Sequence, residues 1–189
     1  MKAVIFDLDG VLVDSFDAWH HATNKILESI GKSISKKEYR KYWGVAFRDA
    51  ARDFGITDNL EELEKRHNKI FENNLDKIKL EPYAKETVEK LKKEGKKLVI
   101  VSNSKKRVIE DILDNFGMTF DLVIGNDNFA KPSPKGIEKA CEILNVDKSE
   151  AIYIGDTKTD VKTGKNAHIK TFIIGKDIDN LKEILDIVD

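Results

Sequence analysis

Four short apolar runs in this chain of 189 residues each lead into polar residues that could do chemistry. Those residues are, in chain order, Asp7, Asp9, Ser102, Asn103, Lys131, Asp156 and Asp160. Short apolar runs that end abruptly are typical of strands buried on both faces of a parallel sheet. Because parallel strands share one direction, we expect these side chains to meet at one edge of the sheet.

Four carboxylates at one sheet edge would repel one another and raise one another's pKa values. A hard divalent cation resolves that conflict, and a ligand set made only of oxygen favours Mg²⁺ over zinc. The Ser102 hydroxyl, the strand-end amides and the Lys131 ammonium are instead groups that bind an anion such as phosphate. Together these groups indicate phosphoryl transfer, in which catalysis is mostly positioning and charge neutralisation.

The elements that must position these residues are predicted from five apolar runs. They are residues 3–6, 98–101, 122–124, 151–154 and 171–174. From residue 82 onward the runs alternate with amphipathic helical patterns, one over residues 108–116 and another over residues 178–188. This alternation implies right-handed βαβ units. The predicted fold class is therefore α/β, with a Rossmann-like three-layer core around a parallel sheet.

The stretch between Ser15 and Leu80 breaks the alternation, because it shows helical periodicity and no convincing strand. Its predicted helix ends are Gly31, Gly44 and Gly55. An insertion at this point emerges at the carboxyl end of the first strand, the edge where open α/β sheets bind ligands. We therefore predict a core domain of residues 1–14 and 82–189, whose first helix begins near Pro82, and an inserted small α-helical cap domain of residues 15–81.

The composition excludes several classes of function. The chain carries 33 Lys and Arg against 34 Asp and Glu, for a formal net charge of −1, without the basic excess or stripe of a nucleic-acid binder. The single cysteine, Cys141, excludes a disulfide framework and a cysteine-cluster metal site. No signal peptide or long apolar run is visible, so we expect a soluble, cytoplasmic protein without a membrane partner. The oligomeric state, monomer or dimer, stays open.

The motif set resembles that of the haloacid dehalogenase superfamily. The matching motifs are Asp7-Leu8-Asp9-Gly10-Val11, Ser102-Asn103, Lys131-Pro132 and Gly155-Asp156-Thr157-Lys158-Thr159-Asp160. Each motif alone is weak, but four in the family's order, each at a predicted strand end, are specific. The match covers residues 1–14 and 82–175, and the helical insertion resembles the small cap of the phosphoglycolate phosphatase and β-phosphoglucomutase group.

The resemblance implies a role for each matched residue. Asp7 would be the nucleophile that takes the phosphoryl group. Asp9 would be the general acid that protonates the leaving oxygen and then the base that activates water. Ser102 and Lys131 would hold phosphate oxygens, with help from the Asn103 amide.

The same resemblance implies a metal site. Mg²⁺ would be held by Asp7, Asp156 and the backbone carbonyl of Asp9, with Asp160 bound through water or lying behind them. Dehalogenases of the superfamily lack the second aspartate of the first motif, so Asp9 favours phosphate chemistry over dehalogenation. One departure is His168, at a position where the family usually has Gly, which puts in doubt only the local turn.

Other residues of interest have a structural interpretation. Ser104 is predicted to cap the helix that follows it, and Asp14-Ser15 to cap the first helix of the insertion. Trp19 and Trp43 are predicted to lie in the core of the lid rather than to contact the substrate. Arg48 could reach an anionic substrate group, and a solvated helix arginine is an equal alternative.

These features together predict a Mg²⁺-dependent phosphatase that hydrolyses a small phosphorylated metabolite through an aspartyl-phosphate, with phosphoglycolate favoured by resemblance alone. A lid over the site leaves little room for a macromolecule. Two alternatives stay open. A β-phosphoglucomutase-like phosphosugar mutase shares every catalytic residue and differs in how the lid holds a sugar bisphosphate. A receiver-type phospho-acceptor signalling domain also places acids, a hydroxyl and a lysine at strand ends, but needs neither Asp9 nor the lid.

Overall fold

The computed structural model describes residues 1–127 and 129–188; Asn128 and Asp189, which the predicted core range includes, lie outside the described residues. The strands are β1 (Ala3–Phe6), β2 (Val13–Asp14), β3 (Lys79–Leu80), β4 (Lys97–Val101), β5 (Leu122–Ile124), β6 (Ala151–Gly155) and β7 (Lys170–Ile173). The α-helices are α1 (Phe16–Glu28), α2 (Lys36–Tyr39), α3 (Phe47–Asp53), α4 (Leu60–Glu72), α5 (Ala84–Lys93), α6 (Lys106–Phe116), α7 (Lys135–Leu144), α8 (Lys158–Ala167) and α9 (Ile184–Val188). Short 3-10 helices cover Arg40–Tyr42, Leu75–Lys77, Lys148–Glu150 and Leu181–Glu183. None of these helices is both long and apolar enough to cross a membrane.

Five strands form one parallel sheet in the order β5-β4-β1-β6-β7. All five apolar runs marked in the sequence are strands of this sheet, with bounds that agree to within one residue. β1 is central, and the chain builds the sheet to one side of it through β4 and β5, then to the other through β6 and β7. The strand order therefore reverses between β1 and β6, which creates a crevice at their carboxyl ends.

The sheet is the middle layer of three, because alternate residues of each strand face opposite sides. Ala3 and Ile5 of β1 pack with buried residues of α7 and α8, including Cys141. Val4 and Phe6 join a larger apolar cluster with α5, α6 and α9. The predicted three-layer α/β core is confirmed.

The helices α1 to α4 and the 3-10 helix Leu75–Lys77 form the helical insert, residues 16–77. α1 packs against α4, with the rings of Trp19 and Phe71 stacked at 3.6 Å between centroids. Buried side chains of the insert continue the larger apolar cluster of the core. Helix α1 ends at Glu28, so Ile30 lies beyond it and is exposed. The domain boundaries at residues 14 and 82 stay a prediction.

A two-stranded antiparallel ribbon joins the insert to the core. β2 pairs with β3, so that Val13 lies opposite Leu80 and Asp14 opposite Lys79. The expectation of no strand between Ser15 and Leu80 is therefore wrong at its end. A strand of two residues has no periodicity that a sequence pattern could reveal.

Two helices begin later than the sequence suggests. α5 begins at Ala84, two residues after Pro82, because Tyr83 between them adopts a left-handed conformation with φ of 65°. α9 begins at Ile184, and a 3-10 helix precedes it. Ile178, which the pattern places in that last helix, instead forms a β-bridge with Ile174.

Candidate active site

The polar residues that follow the strands lie together at the carboxyl edge of the sheet. A cavity at this edge is lined by Asp7, Asp9, Ser102, Asn103 and Lys131. Beside it lies the carboxylate cluster, Asp7, Asp156 and Asp160, in which one oxygen from each residue lies within 4.8 Å of the others. The parallel sheet accounts for this meeting, because β1 and β6 end side by side at the crevice.

Lys131 is a buried cation between two carboxylates. Its side chain is 2% exposed, and its Nζ lies 2.6 Å from Asp7 Oδ2 and 2.7 Å from Asp160 Oδ1. Burial alone would lower the pKa of Lys131, but Asp160 and Asp7 raise it above its ordinary value. The ammonium is therefore charged and balances part of the negative charge of the cluster.

Asp160 combines this ion pair with a helix cap at the start of α8. Its Oδ2 accepts the N–H and the hydroxyl of Thr157, at 3.0 and 2.5 Å, in a capping box. The Tyr153 hydroxyl donates to Asp160 Oδ1 at 2.5 Å. Burial alone would raise the pKa of Asp160, but Lys131 and these hydrogen bonds lower it below its ordinary value. The start of α8 thus places an ionised carboxylate behind the cavity.

Asp7 follows β1 directly and is buried. Its Oδ1 accepts the N–H of Leu8 at 2.8 Å, and its Oδ2 faces Lys131. Burial raises the pKa of Asp7 well above its ordinary range, and Lys131 opposes that rise. Both oxygens are therefore held in place in a largely dry environment.

Asp156 has a carboxylate oxygen without a partner. Its Oδ2 accepts the indole N–H of Trp43 at 2.8 Å, whereas its Oδ1 is buried without a hydrogen-bond partner in the described part of the chain. Burial raises the pKa of Asp156 to about 7. A buried acceptor of this kind costs free energy unless a ligand satisfies it. The orphaned oxygen, the excess of carboxylates over Lys131 and the oxygen-only donor set fit a hard divalent cation in the cluster.

Asp9 lies apart from the carboxylate cluster and is held by three donors. Its Oδ1 accepts the Ser15 hydroxyl and, at 2.9 Å, the Trp19 indole N–H. Its Oδ2 accepts the Ser104 hydroxyl at 2.9 Å. The carboxylate is therefore fixed at the cavity, and the metal contact through the backbone carbonyl of Asp9 stays a prediction.

Of the two serines beside Asp9, Ser104 does not have its predicted capping role, and Ser15 has the predicted cap position without the side-chain cap. The N-cap of α6 is Lys105, without a side-chain cap, and Ser104 instead bonds to Asp9. Ser15 does occupy the N-cap of α1, but its hydroxyl also goes to Asp9 and not to the helix. A serine before a helix predicts a cap, and only the folded contact with Asp9 reveals the alternative.

Ser102 and Asn103 follow β4 and support the loop around the cavity. The buried Ser102 hydroxyl oxygen accepts the N–H of Ser104 at 3.1 Å. Asn103 Oδ1 accepts the N–H of Lys131 at 2.7 Å, and its Nδ2 donates to the carbonyl of Gly44 at 3.0 Å. Asn103 thus links the Lys131 loop to the helical insert.

The insert covers the site through Trp43 and Gly44. Trp43 bonds to Asp156, and a Cβ added at Gly44, whose φ is 75°, would lie 2.8 Å from the Thr157 side chain. Only glycine permits this close approach. Assigning Trp19 and Trp43 to the lid core alone is therefore incomplete, because each also donates to a carboxylate of the site.

Arg48 lies outside the cavity lining. Its Nε lies 2.6 Å from Oε2 of Glu64, and its side chain is 52% exposed. Glu64 is buried and does line the cavity. Contact between Arg48 and a substrate stays a prediction.

The family model of the haloacid dehalogenase-like hydrolases matches residues 4–174 of the chain. The chain belongs to this family. This match confirms the resemblance inferred from the four motifs. Because the family is one of hydrolases, the match also excludes the alternative that the chain is a receiver-type signalling domain.

Relatives with named activities lie within the same family. The chain is 35% identical over 178 residues to a phosphoglycolate phosphatase of Aquifex aeolicus, over 90% of the chain and 83% of the relative. It is 30% identical over 194 residues to the pyrophosphatase PpaX of Halalkalibacterium halodurans, over 93% of the chain and 84% of the relative. The crystal structure of a phosphoglycolate phosphatase candidate from Lactobacillus plantarum has the same fold, with a TM-score of 0.90 at 24% identity and 98% coverage of both chains.

Proposed function

We propose that this hydrolase is a Mg²⁺-dependent phosphatase that releases phosphate from a small phosphorylated metabolite through an aspartyl-phosphate on Asp7. The observation that carries the proposal is the placement of Asp7, Asp9 and Lys131 around one cavity beside the carboxylate cluster. Both named relatives, a phosphoglycolate phosphatase and a pyrophosphatase, break a bond to phosphorus. Their names support the reaction class and leave the substrate open.

In the first step, an Asp7 carboxylate oxygen attacks phosphorus and the bond to the leaving oxygen breaks. Asp9, in its protonated form, gives its proton to that oxygen, so the alcohol leaves neutral. Asp7 suits the attack because Leu8 and Lys131 hold its two oxygens in fixed directions. Its burial limits the water that would otherwise solvate the nucleophile.

In the second step, the Asp9 carboxylate takes a proton from a water molecule, whose oxygen attacks phosphorus. The bond between phosphorus and Asp7 breaks, phosphate leaves and Asp7 is regenerated. The donors Ser15, Trp19 and Ser104 keep the Asp9 carboxylate at the cavity through both steps. Positioning of this kind is what an acid/base group requires.

The phosphate would be held by Ser102, Asn103 and Lys131. Mg²⁺ would be held by Asp7, Asp156 and the Asp9 backbone carbonyl, with Asp160 behind them. When bound, the cation supplies neutralisation of the charge on the phosphoryl oxygens. The unpartnered Asp156 oxygen supports this ligand set.

The insert supports a small substrate, because Trp43 and Gly44 lie directly over the core loops of the site. Resemblance alone favours phosphoglycolate as the first compound to test. The cytoplasmic location and the oligomeric state, monomer or dimer, stay predictions.

The proposal is tested by phosphate release from p-nitrophenyl phosphate with Mg²⁺. We expect multiple turnovers by the unaltered protein and a loss of about 10³-fold or more in Asp7→Asn, because the amide cannot form the phosphoenzyme. Asp17→Asn is the matched control, since Asp17 is an exposed residue paired with Lys36. Near-native turnover by Asp7→Asn would overturn the role of Asp7.

The mutase alternative is decided by incubation with β-glucose 1-phosphate and a sugar bisphosphate primer. Isomerisation without net phosphate release would contradict the phosphatase proposal. Steady release of phosphate without isomerisation would exclude the mutase.

A further inference from the structure

The part of the cavity that lies within the insert would hold the leaving group, and we call it the leaving-group pocket. Its aromatic wall consists of Trp19, Tyr39, Tyr42, Trp43, Phe47 and Phe54. Its polar side chains from α4 are Glu64, His67 and Asn68. Among the described residues of the insert, none that lines the pocket is a lysine or an arginine.

Glu64 brings a buried negative charge to this pocket. The residue is 5% exposed, its Oε2 lies 2.6 Å from Arg48 Nε, and its Oε1 lies 3.9 Å from Lys105 Nζ. Both cations are more exposed than Glu64 and lie outside the lining. They balance the charge of Glu64, and of the three residues only Glu64 lines the pocket.

His67 adds a neutral ring nitrogen one helical turn from Glu64. The residue is 4% exposed, and its Nε2 lies 3.0 Å from Thr23 Oγ1. Its Nδ1 is buried and makes no hydrogen bond within the described part of the chain. Burial lowers the pKa of His67 to about 3, so the ring is uncharged near neutral pH. One ring nitrogen of a residue that lines the pocket is therefore without a hydrogen-bond partner among the described residues.

The position of this ring is well defined. It stacks between Trp19 and Phe47, with centroids 5.1 and 4.4 Å away. A polar atom that is held rigidly and left without a partner favours a ligand that satisfies it.

A second anionic group on the substrate does not suit these surroundings. A carboxylate or second phosphate would be buried beside the carboxylate of Glu64, which already engages the nearby cations Arg48 and Lys105. Neither of these cations lines the pocket and the His67 ring is uncharged, so the second anion would be buried without a cation of its own, which is strongly unfavourable. A hydroxyl group can donate to Glu64 or bond to His67. The carbon skeleton that carries it can pack on the aromatic wall.

We propose that the substrate is the monophosphate ester of an uncharged, hydroxyl-bearing molecule such as a sugar or polyol, and that Glu64 and His67 select it. This inference rests on the proposed phosphatase function and names the substrate class of the same site. It sets the chain apart from its Aquifex relative, because phosphoglycolate carries a carboxylate on its leaving group. It disfavours a sugar bisphosphate for the same reason.

Two pairs of substrates that differ mainly in charge test the inference. Glycerol 3-phosphate is compared with 3-phosphoglycerate, and 2-hydroxyethyl phosphate with phosphoglycolate, by kcat/KM at saturating Mg²⁺. We expect the neutral member of each pair to be favoured by about tenfold or more. Equal values, or a preference for either carboxylate, would overturn the inference.

Glu64→Gln tests the residue directly, because it removes the charge at nearly constant shape and leaves Arg48 and Lys105 without their partner. We expect the preference for the neutral substrates to fall by about tenfold. Glu61→Gln is the matched control, since Glu61 lies on the same helix, is 72% exposed and pairs with Lys65. An unchanged preference in Glu64→Gln would contradict the role of Glu64.

The outcomes separate this inference from the proposed function. If p-nitrophenyl phosphate is hydrolysed in an Asp7-dependent manner but phosphoglycolate is the better natural substrate, only the inference fails. If there is no Asp7-dependent hydrolysis at all, the phosphatase proposal fails. Circular dichroism establishes whether Glu64→Gln folds, and if it does not, the substrate pairs on the unaltered protein still decide.

Discussion

His67 is a residue through which pH acts on the stability of the fold. Its pKa falls from an ordinary value of 6.5 to about 3, because burial excludes the charged ring. In the unfolded chain the same ring takes up a proton near pH 6.5. The stabilisation from the neutral ring is therefore complete above pH 6.5 and is lost as pH falls from there towards 3.

We expect His67 to lower the free energy of unfolding by about 2 kcal/mol between about pH 7.5 and pH 5. His67→Gln has no ring to protonate and should not lose this free energy. The stability advantage of the unaltered protein over His67→Gln should therefore be smaller at pH 5 than at pH 7.5 by about 2 kcal/mol. Urea unfolding at the two pH values measures the effect. His21→Gln, which removes a histidine outside the cavity lining, is the control, and an identical pH dependence in His67→Gln would contradict the prediction.

The sequence predicts the strand-end residues of the candidate site better than their partners. Asp7 and Asp156 lie where they do because β1 and β6 end there, which apolar runs reveal. The bond from Trp19 to Asp9 joins two segments whose sequence patterns are independent of each other. Helical periodicity identifies the buried face of α1, but not the carboxylate that its indole meets.

The residue that ends helix α8, His168, has a strained backbone conformation. His168 follows the helix with φ of 54°, and its N–H reaches the carbonyl of Lys165. His168 therefore adopts the left-handed conformation that a glycine would adopt at this position, and the turn after α8 forms with histidine. A side chain with a Cβ in this left-handed region costs free energy that glycine avoids.

Replacing His168 by Gly should therefore stabilise the protein by about 0.5–1 kcal/mol, since the relief of strain exceeds the added entropy of the unfolded chain. Thermal unfolding should show a midpoint higher by about 1–4 °C. Lys165→Gly in the last turn of the same helix is the contrast, with an expected loss of about 1 kcal/mol. A lower midpoint for His168→Gly would show that the histidine side chain stabilises this turn.

At the scale of elements, the sheet is predictable and the junctions are not. The three inner strands β1, β4 and β6 are buried on both faces, so hydrophobic patterning identifies them. β2 and β3 have two residues each and form only because the insert brings their ends together. The late start of α5 depends on the conformation of Tyr83, which local residue type does not dictate.

At the scale of the whole molecule, the segment Trp43–Gly44 connects the insert to the candidate metal site. The Trp43 indole holds Asp156 Oδ2, and the other oxygen of this carboxylate is buried without a hydrogen-bond partner among the described residues. Partners that orient a metal ligand commonly matter for metal affinity nearly as much as the ligand does. At the proposed metal site, the position of the insert and the binding of the cation would be coupled through this hydrogen bond.

We expect Trp43→Phe to weaken Mg²⁺ binding by about tenfold, because phenylalanine keeps the aromatic wall and loses the N–H donor. Isothermal titration of Mg²⁺ into the protein without substrate measures this directly. Trp19→Phe is the matched control, since its indole donates to Asp9 and not to the carboxylate cluster. Equal Mg²⁺ affinities for Trp43→Phe and the unaltered protein would show that Asp156 is oriented without the insert.

The ribbon of β2 and β3 has an evolutionary consequence. The chain leaves the core at Asp14 and returns at Lys79, and these two residues are direct neighbours across the ribbon. A short turn between them would close a β-hairpin and leave the order of the central sheet unchanged. The ribbon is thus one fixed junction at which the helical segment can change in length or sequence without rerouting the strands of the central sheet, so selection can alter what the insert contacts while the strand ends keep their places.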